Sequence, residues 1–286
     1  MHKQYKNFGL ACLLVMLTGW WAQAQIRVPV PSPTVTLLQE IGLTKIELRY
    51  SRPGMKGRKI FGHLVPYGKV WRTGANQNTR LTFYEPVTIG GKKIPKGQYA
   101  LHTIPGKIEW TIIINKKQGY GNRYDPTQDV HRFKVKPQRT KLVYETCTID
   151  FSNFDKNSAD LRIFWENTMV AFRIETEVDP KVMKQIKKVM DNPARTLAQA
   201  YYTSARYYFE TGRDLNKALE WATQAAKLRP DAYWMLHYQA KIEGRLKKYT
   251  QAIATAKLSI AAAKVRKNPD FVRMNEALIT KWKKLK

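Results

Sequence analysis

The chain has 286 residues, 43% of them hydrophobic and 25% charged, which excludes a disordered polymer and exceeds one small domain. Fifty Lys and Arg against 22 Asp and Glu give a net charge of +28. A field of that size favours anionic partners, whether nucleic acid, phospholipid headgroups or acidic glycans, and is silent about fold.

Residues 1–24 read as a secretory signal. Lys3 and Lys6 form the basic start, Phe8 to Leu17 the apolar run, and Ala22-Gln23-Ala24 the small-residue cleavage site, with Gln25 the expected new N-terminus. An uncleaved anchor is the alternative, but about ten apolar residues are too few to span a bilayer, which takes about 20. Cys12 has no lipobox before it. The expectation is an exported protein, periplasmic or envelope-associated, with no transmembrane anchor after cleavage. Export demotes nucleic acid as a partner, so none is expected. Cleavage leaves Cys147 as the single cysteine, unable to form an internal disulfide. It sits in an alternating strand pattern with no general base marked beside it and reads as a packing residue.

A short leader, 25–34, precedes a β-domain over 35–178. Expected strands are 35–40, 45–50, 80–84, 87–89, 99–104, 110–115, 132–135, 142–150, 161–165 and 168–174. In Thr44-Lys-Ile-Glu-Leu-Arg-Tyr, Ile46, Leu48 and Tyr50 share one face while Lys45, Glu47 and Arg49 share the other, as a half-buried antiparallel strand requires. Gly90-Gly91 signals a two-residue hairpin turn, and Glu166-Asn167 is expected to turn between the last two strands. Many short strands point to an antiparallel β-sandwich, with a partly open β-barrel as the alternative.

Residues 51–79 form a 29-residue connection with five glycines, two prolines and six Lys or Arg. Structureless connections beyond about 12–15 residues are uncommon unless functional. Ile60, Phe61, Leu64, Val65, Val70 and Trp71 could pin it to the sandwich. Arg52, Lys56, Arg58, His63, Arg72, Asn76 and Asn78 would then be held in place as candidate ligand-binding residues, since guanidinium forks beside amides suit carboxylate, phosphate or sulfate. The competing reading is internal: arginines that bond backbone carbonyls and close the fold.

From Lys181 onward the period is helical. Asn192-Pro193 is expected to start one helix. Lys217-Ala-Leu219 recurs as Gln251-Ala-Ile253 at an offset of 34 residues, and Leu228-Arg-Pro-Asp231 and Asn268-Pro-Asp270 close the two units. Tyr202, Phe209, Ala218, Ala225 and Pro230 resemble the tetratricopeptide repeat, although Arg206 stands where its glycine is usual and Ser259 where its alanine is. Two units are fewer than stacked repeats need, so the tail is expected to dock on the β-domain, with a last helix around 274–285 as a cap. The aromatic residues Tyr201, Tyr202, Tyr207, Tyr208, Trp221, Tyr233 and Trp234 are expected mostly to pack between helices. Residues 181–286 carry 23 Lys and Arg against 8 Asp and Glu. The fold class is therefore α+β multidomain, a β-sandwich followed by a helical tetratricopeptide-like tail.

Signals for catalysis are weak. No pair among His63, His102, His131 and His237 has metal-ligand spacing, so no metal and no cofactor is expected. His63 could act as a general base only if Asp125 or Glu166 approached it. Glu109, Asp125, Asp129 and Glu166 are the candidate carboxylates for glycosidase-like chemistry. Trp71, Trp110 and Trp165 suit a core better than a sugar platform.

Tyr50-Ser-Arg-Pro, Lys56-Gly-Arg-Lys-Ile-Phe-Gly, Val65-Pro-Tyr-Gly-Lys-Val-Trp-Arg-Thr-Gly-Ala-Asn, Ile94-Pro-Lys-Gly-Gln-Tyr-Ala-Leu-His-Thr-Ile-Pro-Gly and Glu109-Trp-Thr-Ile-Ile-Ile-Asn resemble domain-of-unknown-function family 2911 over about residues 30–178. The resemblance implies an exported, β-rich protein of Bacteroidota-type envelopes, in some members with a helical tail, and carries no established activity.

Two readings follow. One is a non-catalytic envelope module, with a basic ligand-facing loop and a tail that engages an envelope protein or an anionic glycan or lipid surface. The other is a glycan-active or other hydrolase with a site under the 51–79 loop.

Overall fold

The computed structural model describes residues 28–120, 123–191 and 197–286. The expected signal and its cleavage site lie outside these residues, as does the Asn192-Pro193 helix start. The chain divides into two compact units between Glu177 and Val178.

The first unit holds two antiparallel sheets. One has six strands in the order β1 (Thr34–Ile41), β2 (Thr44–Ser51), β3 (Thr79–Phe83), β6 (Gly97–Ile104), β7 (Trp110–Asn115) and β8 (Asp129–Val135). The other has four, in the order β5 (Lys92–Ile94), β4 (Val87–Ile89), β10 (Ser158–Thr176) and β9 (Gln138–Ser152). The sheets do not close on each other, so the architecture is the sandwich and not the barrel. Their inner faces share one core. Ile46, Leu48, Leu81, Leu101 and Ile112 come from the first sheet, and Ile89, Ile149, Leu161, Ile163 and Ile174 from the second. Each such side chain contributes roughly 1.5–3 kcal/mol by leaving water.

Alternation explains β2, where Ile46, Leu48 and Tyr50 are buried and Lys45 and Arg49 exposed. The β4–β5 hairpin turns on Gly90 and Gly91, both at positive φ (55° and 77°), as the two-residue turn requires. β5 carries no pattern of its own: it is three residues long and two are lysine. The expected turn at Glu166-Asn167 is absent. Residues 158–176 run as a single strand, and its ladder to β9 shifts register on either side of Glu166. Glu166 has a φ of +56°, so the polar pair marks a distortion inside a strand.

The long connection is pinned largely as expected. Ile60, Phe61, Val65 and Trp71 are buried, but Leu64 is 44% exposed and does not contribute. Phe61 meets Trp110 edge-on at 4.9 Å, and Trp71 stacks on Trp165 at 5.7 Å. Trp71 and Thr103 exchange backbone hydrogen bonds of 2.7 and 2.9 Å, which ties the middle of the loop to β6.

Among the described residues the second unit has six helices: α1 (Asp179–Met190), α2 (Ala198–Glu210), α3 (Leu215–Leu228), α4 (Tyr233–Arg245), α5 (Tyr249–Val265) and α6 (Pro269–Lys283). α3 and α5 begin 34 residues apart, at Leu215 and Tyr249, matching the offset in the sequence. Ala218, Ala222, Ala225, Ala240, Ala252 and Ala256 are buried where helices meet. Trp221 is buried, while the tail tyrosines are half-buried against the same clusters. The last helix starts five residues before the expected cap, because Asn268 accepts from the Phe271 amide and Pro269 occupies the first turn. The serine at 259 has a reason: its hydroxyl donates to the Tyr233 carbonyl at 2.7 Å and accepts from Asn275 at 2.9 Å. Asn275 also bonds His237 at 2.9 Å, so a buried polar chain links α4, α5 and α6. No helix among the described residues is long and apolar enough to cross a membrane.

Candidate functional site

The outer face of the six-stranded sheet carries a row of cross-strand neighbours: Arg49, Arg80, Ala100, Asn115 and Asp129. At one end of that row two arginines stand directly opposite each other. Side chains so placed have Cβ atoms about 4.5–5.5 Å apart, and like charges there repel. Among the described residues neither has a carboxylate within 4.0 Å. Arg80 Nη1 donates to Gln118 Oε1 at 3.5 Å, while its Nε is buried without a hydrogen-bond partner.

Two loop segments wall the arginines. Asn78 donates its backbone N–H to the Gly119 carbonyl (3.1 Å) and its Nδ2 to the Lys117 carbonyl (3.4 Å), and its Oδ1 accepts from the Gly119 amide (3.4 Å). Gln77 and Tyr120 form an isolated antiparallel bridge. Asn76 takes a φ of +59°, a region asparagine tolerates, and its Nδ2 reaches Ser32 O and Ser51 Oγ. The result is a cleft of about 470 Å³, lined by guanidinium, amide and hydroxyl groups and by no carboxylate. Such groups suit an oxyanion: the forks of arginine match carboxylate and phosphate, and amides add neutral donors.

The wall segments 116–120 and 123–128 are fixed from behind. Buried Asn115 donates to the Asp125 carbonyl (2.8 Å) and to Asp129 Oδ1 (2.7 Å), and its own Oδ1 accepts from the Lys117 amide (2.8 Å). The Tyr124 hydroxyl donates to Asp129 Oδ2 at 2.6 Å, and Arg132 bonds both. Asp129 therefore holds the Arg132 guanidinium above its ordinary pKa. Beneath Tyr124 lies His102, fully buried, its ring 5.2 Å from the tyrosine ring. Burial pushes His102 down to about 4, against the opposing pull of Asp129 and the Trp71 main chain.

Of the seven residues singled out in the sequence, only Asn76 and Asn78 line this cleft. Arg52 clamps the fold, bonding Cys147 O (3.4 Å) and Thr148 Oγ1 (2.8 Å) on β9. Arg58 bonds the Met55 and Gly54 carbonyls (2.9 and 2.8 Å). Lys56 is exposed, its backbone amide on Glu145 Oε1. His63 is exposed on the loop, and Arg72 is half-buried beside the Trp71–Thr103 bridge. Neither Arg72 nor His63 lines the cleft that Asn76 lines. Arg49 and Arg80 are the residues that sequence reading missed. Strand alternation had put Arg49 on the polar face, but its register against Arg80 has no local signature.

Other candidates resolve differently. Cys147 is fully buried in the sandwich core, and burial pushes its thiol up to about 12. Glu109 pairs with Lys134 at 2.6 Å, and Asp125 caps the 3-10 turn at 126–128. Trp71, Trp110 and Trp165 are all buried. Among the described residues no group of three or more His, Cys, Asp or Glu is placed to hold a metal ion.

The fold and the cleft thus define a two-sheet sandwich with an arginine-lined cleft that no carboxylate lines, joined to a helical tail. A family profile described as protein of unknown function (DUF2911) matches residues 32–174, and the chain belongs to that family. Comparison with curated proteins gives no match, and neither does comparison with solved structures.

Proposed function

We propose an exported, envelope-associated binding protein without catalytic role, whose β-domain holds an anionic group between Arg49 and Arg80. Its basic, tetratricopeptide-like tail engages a partner protein of the envelope. The observation that supports this most is the Arg49–Arg80 pair: two cations set in register, with no acid lining their cleft. An anion bound between them would turn a repulsive contact into two charge-assisted hydrogen-bonding sites. The net charge of +28 would steer such a ligand from a distance. A hydrolase under the 51–79 loop has less support, because His63 lines neither the Arg49–Arg80 cleft nor the cleft beside the loop that Glu166 lines.

The test is a titration of the mature chain with inorganic phosphate and with a short acidic peptide, followed by amide chemical shifts. Saturable shifts are expected at 76–78 and 118–120, weakening as salt rises and lost in Arg80→Gln. Binding that ignores both salt and Arg80→Gln would overturn the assignment.

A further inference from the structure

A second cleft, of about 560 Å³, opens at another place on the β-domain and shares no lining residue with the first. Lys59 and Tyr67 come from the long connection, Lys107 from the β6–β7 turn, and Arg139 and Glu166 from β9 and β10. Its floor is rigid, because Phe61 and Trp110 belong to the buried aromatic cluster.

Three features set it apart from an ordinary charged surface. Lys59, Lys107 and Arg139 have no carboxylate within 4.0 Å among the described residues, although Glu166 lines the same cleft. Glu166 stands at a φ of +56° in the middle of a 19-residue strand, a backbone state that non-glycine residues hold only where the surroundings impose it. Its Oε2 accepts the Phe61 amide at 3.4 Å, which turns the carboxylate toward the cleft instead of toward a cation. Tyr67, 38% exposed, offers an aromatic ring at the rim.

A bare anion would be drawn by the three cations and repelled by Glu166. A ligand that carries hydroxyl groups as well as acid groups meets both: hydroxyls donate to the carboxylate, acid groups reach the lysines and Arg139, and a ring packs on Tyr67. We propose that this cleft is a binding site for an acidic saccharide, with Glu166 as the hydroxyl acceptor. The site stands on its own residues and does not depend on the Arg49–Arg80 reading.

The experiment is calorimetric titration of the mature chain with trigalacturonate and, separately, with inorganic phosphate. Wild type is expected to bind trigalacturonate, with Arg139→Gln or Lys107→Gln weakening it about tenfold and Arg80→Gln leaving it unchanged. Glu166→Gly suits the left-handed backbone, so it should keep the fold and still lose trigalacturonate affinity. The same substitution should tighten phosphate, because it removes the repelling charge. If Glu166→Gly tightens both ligands alike, the cleft reads charge only and the saccharide assignment fails. It fails equally if trigalacturonate does not bind, or if Arg80→Gln and not Arg139→Gln abolishes binding.

Discussion

Arg49 and Arg80 are cross-strand partners, whereas on the other sheet Arg162 stands opposite Asp150 and bonds it through two contacts of 2.9 Å. The same kind of position is thus used in two ways in one domain. Arg162 and Asp150 satisfy each other, and the hydrogen bonds from Asp150 hold the guanidinium above its ordinary pKa. Arg49 and Arg80 leave positive charge for something else to satisfy.

This difference predicts opposite mutational signs. Replacing Arg80 with Gln removes a like-charge contact and should raise stability by a few tenths to about 1 kcal/mol at low salt, a gain that shrinks as salt screens the pair. The same variant should lose oxyanion binding. Asp150→Asn should instead destabilise by a similar amount. Denaturant midpoints at two ionic strengths check both.

His102 predicts an acid-sensitive β-domain. Its imidazole titrates at about 4 in the fold against 6.5 when unperturbed, so between those values the unfolded chain holds the extra proton. The stability it contributes is complete above 6.5 and is lost as pH falls toward 4, up to about 3 kcal/mol. Asp125 and Asp160 are held below the ordinary carboxylate value, so their losses come at lower pH. In His102→Leu the decline between pH 6.5 and 4 should flatten, as read from pH-dependent unfolding. A profile identical to wild type would show that His102 is not the group responsible.

Gly244 predicts a substitution that contradicts helix propensity. Alanine normally favours a helix interior by about 1 kcal/mol over glycine. Here a Cβ would lie 2.5 Å from the indole of buried Trp282. Gly244→Ala should therefore destabilise the tail by about 1–3 kcal/mol through overpacking, and Trp282→Leu should relieve part of that penalty. Thermal unfolding of the single and double variants decides it.

The export proposed above predicts a mature chain beginning at Gln25. N-terminal sequencing of the protein from its native envelope fraction should read Gln-Ile-Arg-Val. Recovery of the chain with Met1 intact would remove the compartment from the proposal.

Much of the sandwich was readable before the structure because its signals are local. Period-two burial in β2, the Gly90-Gly91 turn and the aromatic anchors of the long connection each follow from neighbouring residues and their preferred backbone states. The same holds for the 34-residue offset of the helices, whereas Asn268-Pro269, read as closing a unit, starts the last helix instead. The misreading at Glu166 shows where local reasoning stops: a polar pair signals a change of direction in isolation, yet pairing with β9 both before it, at Phe164, and after it, at Thr168, keeps β10 continuous.

Sequence by itself determined the β-then-α order, the inward-facing side chains and the excess of positive charge. Tertiary structure alone decided which charges meet. Arg49 and Arg80 are 31 positions apart in the chain, and their register depends on how β2 pairs with β3 after a connection folded against the core by Phe61 and Trp71. It also decided that Arg52 bonds the Cys147 carbonyl and the Thr148 hydroxyl and Arg58 two backbone carbonyls, while Asn76 and Asn78 line a cleft. Hydrogen bonding and charge repulsion act over a few ångströms of space, and sequence separation does not encode those distances.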